Sequence, residues 1–487
     1  MAKRALHFFG IFLIFIGATM LFPLILALAY GEARCVRAFL IAILISEIVG
    51  LFIRYKVKIN SVDTKATPRE SYLLVAVSWV LASLIAALPF VITGAIPNYI
   101  DAFFEMCSGF STTGASIIPD VEALPKSLLM WRSTTQWLGG MGIIVLVVAI
   151  LPGFGVRAMN IAGAETPGPT VSKLSARFYG TAQRLYIAYI IITAAQIIMM
   201  LFGGVSLYDA TLHSLSTMAT GGFSCYSDSM GHFNNPYVLW VVTIFTLIAG
   251  TNFNLFFIGI KEGLRSMFRD EELRLYLKYV SAAIIIVAFV LLSKGIYGNL
   301  GNALTHGAFQ VVTIVSTTGF ATANFDLWPA LCKMIFILLM LTGACSSSTA
   351  GGMKLVRVIT MFKMLKREIK LKTHDHVVYD IKYNGKVIQP DTLTYIIIFM
   401  LFFIFTLFAG VLLISVDGFD FTTNFTAVLS CLSNVGPGLG KVGPVGSFNI
   451  YSEFSTLILS FIMIAGRLEL ITFFILFSGH FWHPDRA

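Results

Sequence analysis

Residues 101–116 read DAFFEMCSGFSTTGAS, and three later stretches echo them: DATLHSLSTMATGGFS at 209–224, HGAFQVVTIVSTTGFA at 306–321 and TNFTAVLSCLSNVGPG at 423–438. Each opens on twelve residues of largely apolar sequence, Asp101 to Thr112, Asp209 to Thr220, His306 to Thr317 and Thr423 to Asn434. Each then presents a glycine triplet: Thr112-Thr113-Gly114, Thr220-Gly221-Gly222, Thr317-Thr318-Gly319 and, most loosely, Asn434-Val435-Gly436, where Gly438 is a substitute for Gly436. Asp101 and Asp209 both lie thirteen residues before their glycines, Gly114 and Gly222, so the first two stretches share one frame. A twelve-residue helix is roughly 18 Å long and enters a bilayer without crossing its core of about 30 Å. Four re-entrant helices are therefore expected. Irregular backbone at that depth survives only where it is buried in protein or lines a watery path. A half-helix aims its negative end at the loop that follows, which favours a cation there. Rings of backbone carbonyls replace the hydration shell of a cation, and glycine turns such carbonyls inward because it enters φ > 0 without a Cβ penalty. One Thr-Gly reads equally well as a turn or a helix C-cap. Four, each after a half-length helix, read as an internal repeat and point to a monovalent-cation pore.

The chain around these stretches is that of an integral membrane protein. Of 487 residues, 57% are hydrophobic and 12% charged, against about 45–50% and about 25% in soluble domains, and mean hydropathy is +0.83. Apolar runs of spanning length recur from Leu6–Tyr30 to Phe454–Phe477, about ten in all. The first follows Lys3 and Arg4, and Ala27-Leu28-Ala29 resembles a cleavage triplet, yet its core is longer than the 7–15 residues of a signal sequence, so a retained span is expected. Six cysteines, Cys35, Cys107, Cys225, Cys332, Cys345 and Cys431, show no C-x-x-C spacing and suggest neither zinc nor disulfides. The net charge of +9 sits in alternate connectors, Arg54–Arg69, Arg157–Arg184, Lys261–Lys278 and Lys354–Lys386, which argues for topology and against nucleic-acid binding. The positive-inside bias places these connectors and both termini in the cytoplasm, and the glycine triplets near the outer face.

The expected fold is all-α: four pseudo-repeats of span, pore half-helix and span around a central pore, beside an N-terminal two-span hairpin. The hairpin occupies residues 1–60, and the repeats 70–152, 180–260, 276–365 and 393–480. In the third, Ala330–Leu365 is too long for one straight span, and its middle runs Thr342-Gly343-Ala344-Cys345-Ser346-Ser347-Ser348-Thr349-Ala350-Gly351-Gly352. Gly319 and Gly436 must lie on one side of the membrane, so this stretch crosses once, as two helical pieces joined by an intramembrane loop. Such a loop is a candidate gate; the plainer reading is a static kink that lets helices pack closely. Arg467, in the last span, is costly in hydrocarbon and should face the interior, lining the pore or holding the Ser346–Ser348 loop; pairing with Glu469 and snorkelling are the alternatives. Lys354 either serves the gate or reaches the cytoplasmic interface. Asn252, Asn254 and Gln136 suit a cavity wall or inter-helix contacts. His213 and His306 read as hydrogen-bonding residues.

These residues resemble the Trk/Ktr/HKT superfamily of potassium transporters, and within it the bacterial TrkH branch. The likeness covers nearly the whole chain, including the Gly/Ser-rich interruption and the Gly466-Arg467-Leu468-Glu469 segment. It implies a K⁺-uptake subunit of the bacterial inner membrane with filter glycines Gly114, Gly222, Gly319 and Gly436; Gly114, where Na⁺-passing members carry serine, implies K⁺. It also implies a homodimer, one pore per subunit, seated on a cytoplasmic ring of nucleotide-binding regulatory subunits of the TrkA type. No G-x-G-x-x-G follows a strand pattern here, so no cofactor is expected on this chain and a nucleotide would act through the partner. Na⁺-coupled symport of the Ktr type is the near alternative. A membrane-embedded enzyme would need convergent acids, histidines or a metal site, and the sequence shows no paired Asp/Glu motif or histidine cluster.

Overall fold

The structure, a computed structural model, describes residues 2–57, 68–142, 178–373 and 379–482. It begins with α1 (Ala2–Thr19) and α2 (Leu21–Ala29), which pack along α3 (Ala33–Lys56). Small residues permit the close approach: a Cβ on Gly50 would lie 2.7 Å from the Gly10 carbonyl oxygen, and Ser46 Oγ donates to Leu13 O at 2.7 Å. Then come α4 (Pro68–Thr93), α5 (Tyr99–Phe110), α6 (Lys126–Gly140), α7 (Phe178–Phe202), α8 (Leu207–Met218), α9 (Pro236–Ala249) and α10 (Phe253–Glu262). They are followed by α11 (Glu271–Ser293), α12 (Leu300–Val315), α13 (Ala330–Thr342), α14 (Leu355–Thr373) and a short hairpin, β1 (Lys382–Tyr383) and β2 (Lys386–Val387). The chain continues through α15 (Pro390–Ile414), α16 (Phe421–Ser433), α17 (Glu453–Arg467) and α18 (Leu470–Phe474). A long helix (α4, α7, α11, α15) thus precedes a short one (α5, α8, α12, α16) four times. The long helices turn apolar side chains outward, such as Ile285, Phe289, Phe405 and Leu412, as a lipid-facing surface requires.

Fewer helices cross unbroken than the ten or so apolar runs suggest. Among the described residues six are long and apolar enough: Ala5–Ala29, Ala33–Lys56, Arg69–Thr93, Gln183–Phe202, Glu271–Ser293 and Pro390–Asp417. The shortfall lies in the arms that follow the glycine loops. Helices α9 and α10 meet at a 90° bend, α13 stops after 13 residues, and α17 ends at Arg467, beyond which Glu469 adopts φ 63°. Residues 58–67, 143–177 and 374–378 lie outside the described residues, and with them the end of the first expected repeat and parts of three basic connectors.

The short helices start earlier than the repeat frame suggested. Capping decides this: Asn98, Ser206, Asn299 and Asp420 each accept a bond from a backbone N–H in the first turn, at Ile100, Asp209, Asn302 and Thr423. Bonds from the Thr423 hydroxyl and N–H hold the Asp420 carboxyl below the usual carboxylate range, so this cap carries negative charge at the positive end of its helix. Even the longest of the four, α12 with 16 residues, spans only about 24 Å.

Candidate ion-conduction site

The four short helices deliver their C-terminal ends to one place. One or two residues past each helix comes a residue of the left-handed region, Thr112 (φ 56°), Thr220 (φ 54°), Thr317 (φ 58°) and Asn434 (φ 55°). Two residues on, Gly114, Gly222, Gly319 and Gly436 have φ of 79°, 78°, 79° and 104°, whereas the residue between is not in that region. Left-handed threonine costs of order 1–2 kcal/mol, and an outlier repeated at three corresponding threonines is imposed by the surroundings for a purpose. All four first residues are fully buried.

The loops meet in a closed ring in chain order. A Cβ on Gly114 would collide with the Gly221 carbonyl oxygen, one on Gly222 with that of Thr318, and one on Gly319 with that of Val435. One on Gly436 would come within 2.7 Å of the Thr113 carbonyl oxygen, which returns the circuit to its start. Gly114, Gly222, Gly319 and Gly436 also line a single open cavity, whose wall includes Ser116, Ser224 and Ala321. Gly438 is not part of the ring; its N–H donates to Val442 O at 2.7 Å. The ring's last seam is clasped by a side chain, since Asn434 Nδ2 donates to Thr113 Oγ1 at 3.0 Å and to Met463 O at 3.0 Å. The fourth loop thus replaces threonine with an amide that ties it to the first.

Buried polar side chains brace the ring from behind. Arg132 of α6 donates to Glu105 of α5 at 2.8 Å, to the Ser224 carbonyl at 3.2 Å and to Ser116 Oγ at 3.1 Å, and its guanidinium lies 4.0 Å from the Phe223 ring centroid. Glu105 in turn accepts from Ile117 N at 2.9 Å. One turn on, Gln136 donates to the Gly221 carbonyl at 2.6 Å and accepts from Phe223 N at 3.1 Å, so it fixes the second loop rather than lining a cavity. The sequence reading passed over Glu105 and Arg132, although two opposite charges on short apolar helices are themselves a signal for a buried pair. Arg132→Met is expected to destabilise the protein by about 3–5 kcal/mol because it strands the Glu105 charge, and the Glu105→Met/Arg132→Met pair by much less. Thermal unfolding in detergent checks this; equal losses in the single and double variants would contradict it.

Beneath the ring lies the interruption of the third unit. After α13 the chain turns at Gly343 (φ 64°), bonds Cys345 N to Gly250 O at 3.1 Å, and sends Ser347 O to accept from Phe253 N at 3.1 Å. It then rises to the ring, where Gly351 N donates to Thr317 Oγ1 at 2.7 Å and a Cβ on Gly351 would collide with the Ser433 carbonyl. The return passes through Gly352 (φ 74°) and Lys354 (φ 69°) into α14. Arg467, at the end of α17, donates to the carbonyls of Thr349 at 2.6 Å, Gly139 at 2.9 Å and Gly140 at 2.5 Å. It meets the loop at Thr349, one residue beyond the Ser346–Ser348 stretch, and through backbone. Glu469 accepts from Arg357 and, at 3.1 Å, from the Tyr395 hydroxyl. Lys354 does not reach the cytoplasmic interface: it is 1% exposed and its ammonium folds back onto the Ala350 carbonyl. Its left-handed backbone turns the side chain into the loop, where a carbonyl replaces water.

The remaining polar candidates have local duties. Asn252 caps α10 by accepting from Asn254 N at 3.0 Å. His213 bridges Asp209 O and Ser224 Oγ at 2.8 and 2.9 Å, and His306 meets Thr322 Oγ1 at 2.9 Å. The six cysteines are all buried and unpaired by disulfides.

A multi-span helical membrane protein whose four short helices converge on one ring of glycine backbone has the architecture of an ion-transport protein. The family described as TrkH, cation transport protein, matches residues 36–484, and the chain belongs to it. The Trk system potassium uptake proteins TrkH of Salmonella typhimurium and Escherichia coli are each 34% identical over 477 residues, covering 97% of this chain and 98% of theirs. Escherichia coli TrkG is 34% identical over 481 residues, covering 98% of each. The crystal structure of the potassium transporter TrkH from Vibrio parahaemolyticus superposes with a TM-score of 0.88 at 30% identity, covering 99% of this chain and 100% of that one.

Proposed function

We propose that this chain takes up K⁺ across the plasma membrane, with four pseudo-repeats placing Thr112–Gly114, Thr220–Gly222, Thr317–Gly319 and Asn434–Gly436 as a selectivity filter for a transported, not resident, ion. The carrying observation is the closed ring, in which every glycine abuts the carbonyl of the next loop and all four line one cavity. Backbone carbonyls held at that spacing replace lost hydration without a charged ligand, and the short helices add their negative ends. Glycine at 114, and the potassium uptake named for the relatives, favour K⁺ over Na⁺.

The loop from Gly343 to Lys354 is the gate in this reading. Ser346, Ser347 and Ser348 form its cytoplasmic approach, Gly351 and Gly352 its contact with the filter, Lys354 ties back onto the Ala350 carbonyl, and Arg467 brings a positive charge to the loop at Thr349. A cation there shortens the dwell of K⁺ below the filter, as expected from like charges in a low-dielectric wall. The basic connectors support a cytoplasmic position for the termini and for the hairpin Lys382–Val387. The family reading adds a second copy of the chain and a cytoplasmic nucleotide-binding subunit, for which the basic faces Lys261–Lys278 and Lys354–Lys386 are docking surfaces.

Rubidium influx into liposomes containing the purified chain tests the proposal. Uptake is expected to be competed by K⁺ far better than by Na⁺ and to persist without a Na⁺ or proton gradient. Equal competition by the two ions would remove the filter assignment, and strict dependence on a Na⁺ gradient would replace it with symport.

A further inference from the structure

The intramembrane loop stands on two feet, and one carboxylate pins both. Glu272, the second residue of α11 and fully buried, accepts from Ser346 N and Ser346 Oγ, both at 2.7 Å, on the descending foot. It also accepts from Val356 N at 3.2 Å, at the start of α14 on the returning foot. Its remaining partner comes from the hairpin that follows α14: the Tyr383 hydroxyl of β1 donates to Glu272 Oε2 at 3.3 Å. Burial first, and the Glu272 carboxylate next, push the Tyr383 phenol well above its ordinary value, so it stays a donor at any physiological pH.

The hairpin carrying Tyr383 is itself clamped to the same place. Its tip, Asn384-Gly385, has φ of 48° and 76°, the pairing a two-residue hairpin turn demands. Asn384 Nδ2 donates to Asp270 Oδ2 at 2.7 Å, and Asn384 Oδ1 accepts from Glu271 N at 2.8 Å. From the other side, Lys363 of α14 donates to the Lys382 carbonyl at 2.7 Å and pairs with Glu271. The cytoplasmic hairpin, the start of α11 and both feet of the loop therefore form one continuous hydrogen-bonded unit.

We infer that Glu272 is the positioning residue that holds the loop under the filter, and that the hairpin Lys382–Val387 is the lever through which a cytoplasmic partner frees it. This rests on the reading of the loop as a gate. The hairpin is the exposed end of the unit, so a partner that draws it away removes the Tyr383 donor and the Asn384 clamp together. Glu272 is then free to turn toward water, and both feet lose their shared acceptor at once. Filter glycines are untouched, so the released pore keeps its ion preference.

The experiment uses the full chain in liposomes and two readouts: rubidium influx, and modification of Cys345 by a membrane-impermeant thiol reagent, followed on the peptide that contains it. Cys345 is fully buried within the loop and reports its release directly. Tyr383→Phe with Asn384→Gly keeps the turn geometry and deletes the contacts. It is expected to raise both influx and Cys345 modification roughly tenfold, the scale of one to two lost hydrogen bonds, with K⁺ over Na⁺ competition unchanged. Glu272→Ala should exceed this, and Glu272→Gln should fall between because an amide oxygen still accepts. Wild-type influx and modification in the hairpin variant would overturn the lever, whether or not Glu272→Ala folds. Faster modification without faster influx would uphold the coupling and show instead that the loop is no barrier.

Discussion

Gly319→Ala is expected to abolish K⁺-selective rubidium influx while the protein still inserts and purifies as the wild type does. Two costs combine. Alanine at φ 79° pays about 1–2 kcal/mol for the left-handed backbone, and its methyl would collide with the Val435 carbonyl oxygen and come within 2.7 Å of Pro437 Cδ. The colliding group is the backbone of the next loop, which is held by Ser430 and Asn434, so the ring must distort instead of the side chain stepping aside. Since each 1.4 kcal/mol of lost ion stabilisation is about tenfold, a distortion of a few kcal/mol erases discrimination. Gly114→Ser meets the Gly221 carbonyl in the same way and should lose K⁺ preference. Gly418→Ala is the control: its φ is 73°, yet nothing lies within 4 Å of the added Cβ. It is expected to cost stability only, with transport intact. Selective influx in Gly319→Ala, or loss of selectivity in Gly418→Ala, would disconnect the ring from ion choice.

Arg467→Gln is expected to raise influx in the absence of any partner by roughly ten- to hundredfold, the scale of one or two charge-assisted hydrogen bonds. The guanidinium ties Thr349 of the loop to Gly139 and Gly140 at the end of α6. If the loop is the proposed gate, neutralisation both loosens that tie and removes a positive charge from the ion's path, and the two effects act in the same direction. Arg467→Lys should restore the charge without the tie, because one ammonium cannot reach three divergent carbonyls as a planar guanidinium does. Influx in Arg467→Lys therefore lies between wild type and Arg467→Gln. Wild-type influx in Arg467→Gln, measured on protein of unchanged elution volume, would place Arg467 outside the gate.

The glycine triplets could be found in the sequence because a repeated requirement leaves a repeated residue: only glycine takes φ near 79° with a neighbouring carbonyl against its α-carbon. What the triplets did not reveal was the left-handed backbone of Thr112, Thr220 and Thr317, since threonine has no preference for it and the surrounding burial imposes it. The short helices were readable in kind but not in their starts, because Asn98, Ser206, Asn299 and Asp420 do one capping task with three residue types. The interruption at Gly343–Gly352 was visible as a run of small residues, yet its route back up to Thr317 is a matter of tertiary contact. Of the two readings open for Lys354 the interface one falls for the same reason, as a flexible chain is expected to seek water until a left-handed turn points it inward. Glu105, Arg132 and Glu272 leave no local pattern because a decisive partner of each lies far along the chain: Arg132 is 27 residues from Glu105, and Val356 is 84 from Glu272.

The amide clasp between Asn434 and Thr113 joins residues 321 positions apart. During synthesis, then, three of the four loops exist before the one that completes the circle has been made. The circle cannot close until that last loop arrives, so its closure is a late tertiary event whatever the order in which the helices insert.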